Sequence, residues 1–191
     1  MRSPELMSRR DSGVLVIDVQ AKLMAKMAEA DRVIANIIRL VEGARILSIP
    51  VEATEQYPKG LGPTVPELAA RVPPRPEKLT FSCCGVSGLA DRFRTAGASK
   101  ILLSGVETHV CVLQTGLDLL AAGFKVYVAA DAVCSQREQD RALALSRLER
   151  SGAVLTTTEA ALFEWTEAAG TPEFKEMSRL VTTADASLLG R

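Results

Sequence analysis

The sequence predicts an α/β fold in three layers, with a mostly parallel sheet of six strands held between two layers of helices. Three observations predict it. Short apolar, β-branched runs alternate with stretches whose apolar residues recur at helical spacing. Gly or Pro punctuates most of the joins. Polar residues capable of chemistry fall just after the apolar runs, where the strands of a parallel sheet end and ligands bind.

The run GVLVIDV at 13–19 is apolar until Asp18 interrupts it, which places a carboxylate at the tip of a buried strand. Val33, Ile34, Ile37, Ile38 and Val41 then mark one face of a helix over 30–47, and Pro50 follows as a stop. A second strand is expected at 50–54, then a Pro- and Gly-rich loop at 55–66 and a stiff, proline-rich loop at 72–76. The third strand is placed at 79–82, with Lys78 entering it. A helix near 89–96 with Gly97 as its stop leads into a fourth strand at 100–104. A helix over 110–122 with Gly123 behind it, a strand at 125–130, a helix at 138–150 and a strand at 153–157 complete the alternation. Phe174, Met177 and Leu180 at helical spacing predict a short helix in the tail, with a neighbouring subunit as its docking partner. No long polar linker divides the chain, so one domain over 1–191 is expected, its core at about 12–166 and its tail at about 167–191.

Composition excludes some partners. Lys plus Arg and Asp plus Glu are each 23, a formal net charge of zero, so no whole-protein field draws in nucleic acid or an anionic membrane. The same lack of repulsion between copies favours a homo-oligomer. The apolar runs are too short to cross a bilayer, and the start MRSPELMSRR lacks the apolar stretch of a secretion signal, which predicts a soluble cytoplasmic protein. Four cysteines, with Cys83 and Cys84 adjacent, fit a reduced compartment better than a disulfide framework.

Cys111 falls just past the fourth strand, in the first turn of the helix behind it. Helix N–H groups there are expected to stabilise a thiolate, depress its pKa and hold an oxyanion. By position alone it reads equally as a buried, inert small residue. Asp18 reads as a base for the thiol or as a cap for a following helix. Lys78 reads as a cation beside both, or as a solvated surface residue.

Taken together, VIDVQ around Asp18, EKLTFSCCG around Lys78 and GVETHVCVLQTGLDLLAAGFKVYVAADAVCS around Cys111 resemble the isochorismatase-like, or cysteine hydrolase, superfamily. The resemblance runs from about 13 to 157. It implies a six-stranded α/β sheet and a triad of Asp18, Lys78 and Cys111. It also implies a cis peptide between Val106 and Glu107, an oxyanion hole from the backbone N–H groups of Glu107 and Cys111, and hydrolysis of a small amide, carbamoyl or related C–N compound through a thioester. The loop TEQYPKGLGPTVPEL and the segment GVETHVCVLQT are most similar to isochorismatase domain-containing proteins. Gln20, Glu55, Gln56, Tyr57, Leu61, Phe81 and His109 are then the substrate-pocket candidates. Nicotinamidases of this superfamily carry an Asp and His metal cluster where TEQYP stands here. With His109 as the single histidine, no metal and no cofactor is expected. A Cys111–His109 dyad is disfavoured because residues two apart near a helix start do not face each other. Cys83, Cys84 and Cys134 read as packing or pocket lining.

Two other classes compete with this reading. A catalytically silent or redox-sensing oligomeric scaffold would keep the fold and use Cys111 as an oxidant sensor. A dinucleotide-binding oxidoreductase would need GxGxxG after the first strand, where VIDVQAKL stands instead. Retention of Cys111, which the vinyl-ether-cleaving branch of the superfamily lacks, favours covalent C–N hydrolysis.

Overall fold

The computed structural model describes residues 2–190. Its strands are β1 (Ser12–Ile17), β2 (Val51–Gln56), β3 (Glu77–Lys78), β4 (Lys100–Val106), β5 (Lys125–Cys134) and β6 (Val154–Thr156). All pair in parallel, in the order β3-β2-β1-β4-β5-β6. The helices are α1 (Ala21–Met24), α2 (Ala30–Ile46), α3 (Pro58–Leu61), α4 (Pro66–Ala69), α5 (Leu89–Thr95), α6 (Leu113–Ala121), α7 (Glu138–Arg150), α8 (Thr158–Thr166), α9 (Pro172–Thr182) and α10 (Asp185–Leu188). A 3-10 turn spans Cys83–Gly85, and one turn of π-helix spans Thr108–Val112. No described helix is long and apolar enough to cross a membrane.

Because side chains alternate along a strand, the central strands split their residues between two apolar clusters. Val14 and Val16 of β1 and Leu102 of β4 join α2, α8 and α9 on one face. Leu15 and Ile17 with Ile101 and Leu103 join α5, α6 and α7 on the other. The chain winds outward from β1 to β2 and β3, then crosses back to place β4 on the other side of β1. The carboxyl ends of β1 and β4 therefore flank the switch point, the place where open α/β sheets bind ligands. Gly105 lets the two strands meet there: its φ is +113°, and a Cβ would lie 2.1 Å from the Ile17 carbonyl oxygen.

Several elements differ from the sequence expectation. The third strand is Glu77–Lys78, not 79–82. It pairs only with Glu55 and Gln56. Beyond it the Lys78 ammonium gathers the carbonyls of Thr80 and Phe81 around itself, which curls 79–82 into a turn and leaves Leu79 and Phe81 exposed. The second strand runs two residues further than expected, to Gln56, and the loop behind it holds the one-turn helices α3 and α4. The helix expected at 110–122 opens as the π-turn, closed by Val112 N–H donating to the Glu107 carbonyl at 3.2 Å. The tail packs on its own chain. Met177 of α9 is fully buried against α2, and Arg39 of α2 holds the Thr183 carbonyl with an N–H and pairs with Asp185.

Candidate active site

Asp18 leaves β1 in the left-handed region, φ +52°, a conformation Asp tolerates better than bulkier residues. Its own N–H donates to the Thr54 carbonyl and its carbonyl accepts from Gln20 N–H, so the backbone on both sides is fixed. The side chain is fully buried. Thr54 Oγ1 donates to Oδ1 at 2.8 Å, and Lys78 Nζ donates to Oδ2 at 2.6 Å. The Cys111 thiol lies close enough to this carboxylate to feel its charge.

Lys78 closes β3 with its ammonium enclosed. It donates to Asp18, to Gln56 Oε1 at 2.6 Å and to the carbonyls of Phe81 and Thr80 at 3.0 and 3.3 Å. Burial alone would lower its pKa, but the negative Asp18 raises it on balance, so the group is an ammonium. A buried ion pair with this many partners is costly to break from one side, about 3–5 kcal/mol.

Cys111 sits in the π-turn, 5% exposed. Burial pushes its thiol pKa up and the Asp18 charge pushes it further, while Lys78 pulls it back only in part. This corrects the expectation of a depressed thiol pKa. The wide turn is buried rather than exposed at a long helix terminus, and a full carboxylate charge in contact outweighs the partial charge of helix N–H groups. Cys111 therefore rests as a thiol beside Asp18. The Val106–Glu107 peptide immediately before the turn is cis.

The structure brings Asp18, Lys78 and Cys111 together and separates several pocket candidates from them. Gln20 is fully buried and acts as a clamp: its Oε1 accepts Gln56 N–H at 2.8 Å, and its Nε2 donates to the carbonyls of Gln56 and Gly62 at 3.0 and 2.6 Å. Glu55 sits on the opposite face of β2 from Thr54 and Gln56. It accepts from Thr64 N–H, Thr64 Oγ1 and Arg75 Nε, pinning the loop. Gln56 reaches the cluster, but through Lys78, with its Nε2 held by the Leu79 carbonyl. Tyr57, with φ +37°, and Phe81 stand exposed at the rim, and Leu61 ends α3 nearby. His109 Nδ1 meets Ser135 Oγ at 3.0 Å, and Glu107 accepts from Gln136 N–H at 3.0 Å. Both residues line a cleft of about 310 Å³ beside the π-turn. Tyr57, Lys78 and Leu79 line a second, of about 350 Å³. Both volumes suit a small ligand. Among the described residues no cluster of three His, Cys, Asp or Glu side chains is placed to hold a metal.

Sequence reasoning missed Thr54 and the nearness of Cys83. Thr54 pairs in register with Ile17, one residue before Asp18. A polar residue ending an expected strand next to Asp18 was the available signal. Cys83 is expected to be packing or pocket lining. It is fully buried, yet its Sγ lies 3.4 Å from Thr54 Oγ1.

A six-stranded parallel sheet with a buried carboxylate, ammonium and thiol gathered at its switch point places the protein among the isochorismatase-like hydrolase folds. The family model for the isochorismatase domain matches residues 12–160, and the chain belongs to that family. It is 40% identical over 185 residues to isochorismatase domain-containing protein 2 of Danio rerio, covering 96% of this chain and 94% of that one. Among solved structures it is similar to MAR1 ribonuclease from Caenorhabditis elegans, with TM-score 0.88, 39% identity and 94% of each chain covered. The octameric hydrolase of unknown specificity YcaC from Escherichia coli shares the fold, with TM-score 0.86 at 24% identity over 100% of this chain and 97% of that one.

Proposed function

We propose that the protein is a hydrolase that uses Cys111 as a nucleophile on a small amide, carbamoyl or related C–N compound. One observation carries the reading: a fully buried carboxylate, anchored by Lys78 and Thr54, stands close enough to the Cys111 thiol for its charge to act on the sulfur. Asp18 takes the thiol proton as the sulfur attacks the carbonyl carbon, and the backbone N–H groups of Glu107 and Cys111 hold the oxyanion. Asp18 returns the proton to the leaving amine, a thioester remains on Cys111, and water activated by Asp18 releases the acid. Lys78 stays an ammonium and keeps Asp18 oriented throughout. The raised thiol pKa means that the proton moves within the pair at the moment of attack, with no standing thiolate.

The raised pKa also weighs against the redox-sensing reading, since sensor cysteines are accessible and thiolate-rich. The likeness to MAR1 ribonuclease favours RNA cleavage as a second reading. Against it stand a net charge of zero and a Lys78 ammonium already enclosed by four acceptors. Four free cysteines support the cytoplasmic assignment. The exposed Tyr57, Leu79 and Phe81 would supply surface for the expected homo-oligomer.

The test is a panel of small amides and carbamoyl compounds assayed for ammonia release, with an RNA oligonucleotide as a parallel substrate. The reading expects ammonia release by the wild type, none by Cys111→Ala, and an acyl adduct on Cys111 in the intact mass. Cleavage of RNA without ammonia release from any compound would replace it with the second reading.

A further inference from the structure

Cys83 is the nucleophile-bearing residue the proposed reaction does not use, and its surroundings assign it a direction of donation. The Asp18 carboxylate can only accept, so the hydrogen bond of 2.8 Å to Oδ1 takes the single proton of Thr54 Oγ1. That oxygen can then only accept from Cys83, whose Sγ lies 3.4 Å away. The Cys83 S–H is therefore the donor. Burial first, and the Asp18 charge second, push its pKa up to about 12, so the proton stays on sulfur at neutral pH. Its place is fixed from behind: Cys83 N–H donates to Thr115 Oγ1 of α6 at 2.9 Å, and the Ser82 side chain caps the 3-10 turn.

We infer that Cys83 is a positioning residue that acts on Asp18 through Thr54, in a chain running from Cys83 S–H to Thr54 O–H to Asp18 Oδ1. Successive hydrogen bonds polarise one another, so a donor behind Thr54 makes Thr54 a stronger donor to the carboxylate. This fixes the carboxylate plane, which Lys78 holds at Oδ2, and tempers the basicity of Asp18 toward the Cys111 thiol. The titratable and charged groups that face Asp18 are Lys78 from β3, Cys111 from the π-turn and, through Thr54 of β2, Cys83 from the 3-10 turn. The inference rests on the reading that Asp18 is the base for Cys111.

The experiment measures the rate of Cys111 alkylation by iodoacetamide against pH, by peptide mass spectrometry, in the full-length wild type and in Asp18→Asn, Thr54→Val, Cys83→Ala and Cys83→Ser. Thermal melts recorded alongside report any purely structural loss, which lowers the melting temperature without moving a pH limb. In the wild type the rate is expected to fall on the acid side. Cys83→Ala is expected to move that limb to higher pH by roughly half a unit and to raise the plateau, because Asp18 becomes more basic. Cys83→Ser keeps a donor and restores the wild-type limb. Thr54→Val moves the limb in the same direction, and adding Cys83→Ala to it moves it no further. A Cys83→Ala limb that coincides with the wild type, while Asp18→Asn abolishes it, overturns this inference alone. An Asp18→Asn profile identical to the wild type overturns the base reading and this inference with it.

Discussion

The two faces of the sheet are built from the same strands by the same alternation, yet only one carries the candidate site. The face under α2, α8 and α9 is filled mainly by aliphatic residues and methionines, with Tyr127, Cys134, Trp165 and the docked Met177 among them. The face under α5, α6 and α7 buries comparable residues together with Cys83 and Cys111, above the Asp18–Lys78 pair at the sheet edge. The first face can be judged by volume. On the second, every polar group needs a named partner, because an unpaired charge in such a place costs several kcal/mol. Substitutions on the two faces should therefore cost similar stability and differ in chemistry.

The largest effects sharpen this contrast. Lys78→Met leaves the Asp18 charge buried without its ammonium, and is expected to cost about 3–5 kcal/mol by denaturant unfolding and to slow Cys111 labelling. Trp165→Ala empties a fully buried site on the other face at a similar cost of about 3–5 kcal/mol, with Cys111 labelling per folded molecule unchanged. Equal loss of labelling in both variants would break the division between the faces.

A smaller effect is expected at Glu55, which serves the loop and not the cluster. Burial alone would raise its carboxyl pKa, but hydrogen bonds from Thr64 and the Arg75 guanidinium bring it below the ordinary value. A depressed folded-state pKa means its stabilisation is complete above the ordinary carboxylate value and is lost as pH falls through the folded one. Glu55→Gln should thus cost about 1 kcal/mol at neutral pH, and the difference from wild type should shrink in acid melts. Smallest of all is Asp91→Ala. It breaks an exposed pair with Arg94 at 3.0 Å, expected to be worth about 0–1 kcal/mol and less at high salt.

The sequence made the layered α/β architecture legible because its strands are continuous apolar runs and its central helix shows a clear apolar stripe. It was less informative where tertiary partners override local pattern. Leu79 and Phe81 looked like strand residues, yet the Lys78 ammonium curls their backbone into a turn. Gln20 and Glu55 enter as substrate-pocket candidates through the family resemblance. Only the register shows that each binds backbone or loop partners instead. The gathering of Asp18, Lys78 and Cys111 was anticipated from a resemblance carried by three motifs. The protonation of Cys111 was not, since a helix start suggests a low thiol pKa and burial against a carboxylate reverses it.

The most direct test of the pairing of Asp18 with Cys111 is the labelling rate of each cysteine at neutral pH in the wild type and in Asp18→Asn. If Asp18 takes the thiol proton, Cys111 labels faster than the buried Cys83 and Cys134 in the wild type and falls to their level in Asp18→Asn. If Asp18 acts only as a negative charge opposing the thiolate, Asp18→Asn labels faster than the wild type, and that result would contradict the account.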